Sequence, residues 1–139
     1  MGSFFRKYPV VAVALVCLLG LGYVMLVPSP TVRQRRAEAK SLAGGRTVVL
    51  AARQYSREHG GVYPANLDLL FPQYLQDRSS LVSPLNPSEP IGYTYTAPPK
   101  ERTDSPDTIV LEDKFSPEKY HERLVVYADA SNRLLPVQP

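Results

Sequence analysis

The feature that most restricts how this chain can fold is a run of eighteen uncharged, mostly apolar residues from Val10 to Val27. A helix rises 1.5 Å per residue, so the run would measure about 27 Å, close to the hydrocarbon thickness of a bilayer. Pro9 stands at its start, where a helix tolerates proline, and Pro28 follows its end, where a helix would be weakened. We therefore predict a short basic segment over residues 1–9 and a transmembrane helix over residues 10–27.

A cleaved secretory signal is the alternative, because Arg6 and Lys7 precede the apolar run as a basic segment would. Signal peptides usually have shorter apolar segments and end in a small-residue cleavage site. No such site follows this run, and Pro30 is unfavourable just after a scissile bond. We expect the segment to be retained as an anchor.

The residues after the run predict a helical stem over residues 28–60. Apolar side chains recur at three- and four-residue intervals from about Thr31 to His59, with charges between them, which is typical of an amphipathic helix. Gly44-Gly45 predicts either a bend or a point of close packing. Gly60-Gly61 supplies the left-handed conformation that commonly ends a helix.

Residues 61–139 are expected to form an α+β head. Asn66 can cap a short leucine-rich helix, and the prolines between residues 84 and 90 indicate a long extended loop. The β-rich segments and the turn that predict an antiparallel meander are 91–96, 108–112, 124–128, a turn at 129–132 and 133–135. The predicted fold class is α+β, with a long amphipathic helix packed on a small antiparallel sheet.

Charge is distributed unevenly along the chain. Residues 31–60 contain seven Lys/Arg against two Glu, whereas the residues after Gly60 contain seven basic and eleven acidic side chains. The arginines are spread around the helix without a platform of aromatic side chains, so we expect no nucleic-acid partner. By the positive-inside rule, the basic residues soon after the apolar run would place the C-terminal domain in the cytoplasm.

Residues suited to catalysis are few. His59 and His121 lack the spacing of a zinc site, and the single cysteine, Cys17, lies inside the apolar run. No nucleophile elbow, P-loop or dinucleotide fingerprint is present. We therefore expect no enzyme activity, no catalytic, cofactor-binding or metal-binding residues and no small-molecule substrate. A hydrolase would need an unrecognised site in the loop over residues 84–107.

Several residues together resemble the type II secretion major pseudopilins and their type IV pilin relatives. An apolar helix ends at a Val27-Pro28 step, and Tyr55 is followed by Gly61-Val62-Tyr63-Pro64 and a leucine-rich stretch. The segment from Leu124 to Asp129 is similar to the late hairpin of those proteins, with Ala130 where a glycine is usual.

The resemblance implies a pilin-like fold and a non-enzymatic subunit of a type II secretion-like or related envelope assembly. Its expected partners are inner-membrane lipid and other pilin-like or secretion-machinery subunits. The expected location is the bacterial inner membrane, single-pass, with the C-terminal domain in the periplasm, which is opposite to the orientation from the charge count. The resemblance also implies a loop that holds calcium, for which Asp104, Asp107, Glu112 and Asp113 are the candidate residues. Their spacing matches no ligand pattern, so a solvated acidic loop is expected instead.

The front of the chain departs from the pilin pattern. Pilin-type precursors have a glycine at the cleavage point and a glutamate shortly inside the apolar helix, and residues 6–11 (RKYPVV) offer neither. The resemblance implies that this glutamate pairs with the N-terminal amine of a neighbouring subunit. Burying either charge alone in lipid would be costly, so the absence of both is consistent. The alternative function is a membrane-anchored periplasmic binding or interaction module on a pilin scaffold that does not form filaments.

Overall fold

The computed structural model describes residues 16–17 and 29–137, so the basic segment 1–9 and nearly all of the predicted transmembrane helix 10–27 lie outside the described residues. Among those described, no helix is long and apolar enough to cross a membrane. The chain divides into two compact units, Met1–Gln34 and Arg35–Pro139, and the second contains the sheet and the hydrophobic core.

Helix α1 spans Pro30–Glu58, which lies inside the predicted stem 28–60 and agrees with the periodic segment 31–59 to within a residue at each end. The Ser29 carbonyl accepts from the backbone N–H groups of Val32 and Arg33, and Pro30 occupies the first helical position, which proline favours. Gly60 and Gly61 end the helix with φ of 66° and 85°, as predicted.

Gly45 lets helix α1 approach the sheet closely. A Cβ atom on Gly45 would lie 3.0 Å from Val126 Cγ2 and 3.1 Å from Leu111 Cδ2. The helix runs without interruption through Gly44 and Gly45, so of the two predicted roles the structure shows close packing.

The sheet contains four antiparallel strands in the order β1-β2-β3-β4. The strands are β1 Tyr93–Tyr95, β2 Ile109–Asp113, β3 Glu122–Tyr127 and β4 Asn132–Pro136. Each overlaps a predicted strand, with ends that differ by one or two residues. A short helix that was not predicted, α2 Ser116–Tyr120, connects β2 to β3.

In the described part of the chain, three short 3-10 helices lie in the loops, two between α1 and β1 and one between β1 and β2. The first, Leu67–Leu70, begins at Asn66, whose side chain accepts from the Leu69 N–H at 3.3 Å as predicted. The second, Arg78–Leu81, begins at Asp77, whose carboxylate accepts from the Ser79 N–H at 2.9 Å. A third covers Lys100–Arg102 in the loop before β2.

The core lies between one face of α1 and the inner face of the sheet. Val48 and Ala52 of the helix are both 0% exposed, as is Leu111 of β2. The buried positions of α1 recur every three or four residues, which confirms its amphipathic character. The domain is therefore α+β, with a long helix packed on a four-stranded antiparallel sheet.

Candidate functional site

The four carboxylates considered for calcium do not form one site. Asp104 pairs with Arg53, Glu112 forms a bidentate ion pair with Arg123 at 2.7 Å for both bonds, and Asp113 is buried. In the part of the chain that the structure describes, no three His, Cys, Asp or Glu residues are grouped closely enough to hold a metal ion. The expectation of a solvated acidic loop is wrong for Glu112 and Asp113, because both belong to strand β2.

The Asp113 carboxylate is surrounded by hydrogen-bond donors. Its Oδ2 accepts from the hydroxyls of Ser41 on α1 and Ser83 in the loop before β1. Its Oδ1 accepts from the backbone N–H groups of Phe115 and Ser116 at 2.8 and 3.2 Å. A buried carboxylate is costly unless its lone pairs are satisfied, and four donors satisfy them here. Asp113 is only 1% exposed, so its role is structural: it joins the helix, the loop and the start of α2.

Tyr93 extends this polar contact between helix and sheet. Its hydroxyl donates to the Ser41 carbonyl oxygen at 3.0 Å, and its ring is 3% exposed. Burial raises the pKa of Tyr93 and keeps its hydroxyl protonated as a donor. Ser41 therefore connects α1 to both β1 and β2.

A second polar cluster lies near the C-terminal end of α1, around Arg53. Its Nη1 donates to the Asp129 carbonyl at 3.0 Å, and its Nη2 lies 2.5 Å from Asp104 Oδ1. The Arg53 Nε–H is buried and has no hydrogen-bond partner among the described residues. Arg53 thus holds the β3–β4 turn and the loop before β2 against the helix.

Tyr63, from the Gly-x-Tyr-Pro pattern, lies in the same polar cluster as Arg53. Its hydroxyl is shared between the carbonyl oxygens of Thr103 at 3.0 Å and Ala128 at 3.2 Å. Burial is the main cause that raises the pKa of Tyr63 to about 12. The Pro64 carbonyl accepts from the Tyr95 hydroxyl at 2.7 Å. The Gly61–Pro64 segment therefore lies at the joint between helix and sheet.

A cavity of about 120 Å³ opens beside these groups. The residues that line it are Arg53, Ser56, Arg57, Gly61, Tyr63, Thr103 and Asp104. It opens to solvent, since Arg57 is exposed and the Asp104 side chain is 75% exposed. Its lining is rich in hydrogen-bond donors and contains neither a histidine nor a cysteine.

Both histidines are exposed, as predicted, and neither lines the cavity. The His59 ring stacks on Tyr55 with centroids 3.8 Å apart. His121 ends α2 in the left-handed conformation, with φ of 57°.

Sequence reasoning missed the roles of Arg53, Ser41 and Ser83. Arg53 follows the buried Ala51-Ala52 pair, so its position at the border of the apolar face was a usable indication. Ser41 lies 72 residues from Asp113 in the chain, and no local sequence pattern predicts such a contact.

Comparison with protein-family models, curated proteins and solved structures finds no match to this chain.

Proposed function

We propose that this chain is a non-enzymatic, membrane-anchored subunit of the pilin or pseudopilin kind in a type II secretion-like or related envelope assembly. The observation that carries the proposal is helix α1, 29 residues long, packed on a four-stranded antiparallel sheet and preceded in the chain by an eighteen-residue apolar run. A long helix of this kind suits a stem that carries a head, and the apolar run suits an anchor.

The joint between helix and sheet supports the same proposal. Gly61 ends the helix by donating its N–H to the Ser56 carbonyl at 2.8 Å, and Tyr63 then hydrogen-bonds to two loops of the head. Gly61 and Tyr63 belong to the segment that resembles pilins. Gly61 ends the helix, and Tyr63 connects it to the head.

We further propose a single-pass protein of the bacterial inner membrane with its C-terminal domain in the periplasm. Its partners are inner-membrane lipid and other pilin-like or secretion-machinery subunits. The exposed face of α1 carries basic side chains such as Arg36, Lys40 and Arg46, whereas the residues after Gly60 are acidic on balance. Opposite charges on stem and head favour pairing between neighbouring copies, and added salt should weaken such pairing.

The alternative is a membrane-anchored binding or interaction module that does not form filaments. Two observations favour it: residues 6–11 contain neither glycine nor glutamate, and an open cavity lies beside Arg53. Crosslinking in intact membranes separates the two functions, because a subunit gives a ladder of multimers and a lone module gives monomers or one mixed adduct.

The experiment that tests the anchor is membrane fractionation of the native chain followed by intact-mass measurement. We expect the full-length mass in the membrane pellet. A loss of about six to eight residues would indicate processing of the pilin type, and a loss of about thirty, with the protein in the soluble fraction, would contradict a retained anchor.

A further inference from the structure

We propose that the cavity beside Arg53 binds a single carboxylate group. This inference goes beyond the proposed function and does not depend on it, since an assembling subunit or a lone module could each use the site. The cavity is small, about 120 Å³, and it opens to solvent. Ordinary pockets for drug-sized ligands measure about 300–1,000 Å³, so only a small group or one side chain fits.

The donors of the cavity suit an oxyanion. The Arg57 side chain lines it and, in the described part of the chain, makes no side-chain hydrogen bond or ion pair. Arg53 also lines the cavity, although its Nε–H, which has no partner among the described residues, is itself enclosed by protein. Guanidinium groups bind carboxylates with short, charge-assisted hydrogen bonds.

The charges of the cavity favour a carboxylate over a phosphate. Among the lining residues, Asp104 balances Arg53, which leaves Arg57 as the uncompensated cation. A monoanion neutralises that charge, whereas a phosphate dianion would leave excess negative charge beside Asp104.

The carboxylate can come from a small organic acid or from an acidic side chain of another protein. Both sources present the same carboxylate to Arg57, so the affinities of two probes are compared to distinguish them. The probes are acetate for the free acid and a glutamate blocked at both ends, N-acetylglutamate amide, for the side chain. The side chain is the source if the blocked glutamate binds more tightly than acetate, and otherwise the free acid is.

The experiment uses the full-length chain in detergent micelles with its arginine Nε–H signals followed by nuclear magnetic resonance. Each probe replaces chloride at constant ionic strength, so that general screening does not change. We expect the Arg53 and Arg57 signals to shift and saturate. Arg57→Gln should weaken binding by about tenfold or more, which corresponds to one charge-assisted hydrogen bond.

Arg46→Gln is the matched control, because Arg46 is an exposed arginine on the same helix that does not line the cavity. It should leave the affinity unchanged. The proposal is overturned if neither probe gives saturable shifts, if Arg57→Gln binds as tightly as the parent chain, or if phosphate binds more tightly than both carboxylates. Unchanged circular dichroism of Arg57→Gln shows that the fold is intact.

Discussion

The Ser83 hydroxyl lies 2.6 Å from the Asp113 carboxylate, and the two side chains are 0% and 1% exposed. This contact connects the proline-rich loop to the end of strand β2, at the point where Ser41 also reaches the same oxygen from α1. The loop and helix are therefore tied to the sheet through one buried charge. Loss of that charge should loosen all three elements together.

Asp113→Ala should destabilise the domain by about 2–4 kcal/mol, because four hydrogen-bond donors lose a charged acceptor. Asp113→Asn should cost less, since its remaining oxygen can still accept from the N–H groups of Phe115 and Ser116. Thermal unfolding followed by circular dichroism measures this, and Asp113→Ala should lower Tm by at least about 8 °C. The control is Asp107→Ala at an exposed position. Equal stability of the two alanine variants would contradict the structural role.

Gly45→Val should destabilise the domain by about 2 kcal/mol or more, because its side chain would collide with Val126 and Leu111. The control is Ala43→Val, which adds a β-branched residue to an exposed position of the same helix. It should cost no more than about 0.7 kcal/mol from helix propensity alone. Comparable losses in the two variants would show that the helix does not need a small residue against the sheet.

Arg53→Ala and Asp104→Ala should differ in cost although they remove the same ion pair. Asp104 is 75% exposed, so its loss should cost under about 1 kcal/mol. Arg53→Ala also removes the donor to the Asp129 carbonyl, and its cost should be about 1–3 kcal/mol. A double-mutant cycle measures the coupling, which we expect to be about 0.2–1 kcal/mol. A larger coupling would contradict this expectation and show that the Arg53–Asp104 ion pair itself stabilises the contact between helix and loops.

Stability should fall as the pH rises from 10 to 12. Burial raises the pKa of Tyr63 to about 12 in the folded state, against 10 in the unfolded chain. The folded state therefore holds the proton more tightly, and the resulting stability is complete below pH 10 and lost as the pH passes through 12. Two pKa units correspond to about 3 kcal/mol. Tyr63→Phe should reduce the slope of Tm against pH in this window, and an unchanged slope would assign the effect to other groups.

Much of the fold follows from local patterns. Helix α1 and its end were predictable because apolar spacing and the Gly60-Gly61 pair act within a few residues. The strands were predictable for the same reason, although their ends were not, since pairing decides where a strand stops. Helix α2 has five residues, too few for a helical period to appear in the sequence.

The sites were harder to predict because they join distant parts of the chain. Arg53 and Asp104 are 51 residues apart, and Ser83 and Asp113 are 30 apart. The resemblance pointed to the Tyr63 region but contained no information on the cavity beside it. Ala130 was not foreseeable from propensity either, because it occupies a φ of 65°, a conformation that glycine adopts more readily.

The central claim, a membrane-anchored subunit with an exported head, is tested most directly by labelling one introduced cysteine. Glu118→Cys provides an exposed thiol on α2, in a background where Cys17→Ser removes the native one. A membrane-impermeant maleimide is added to bacteria whose outer membrane has been opened. The account predicts labelling of the head before the inner membrane is lysed, in a protein that stays in the membrane pellet. Labelling only after lysis would place the head in the cytoplasm and contradict the account.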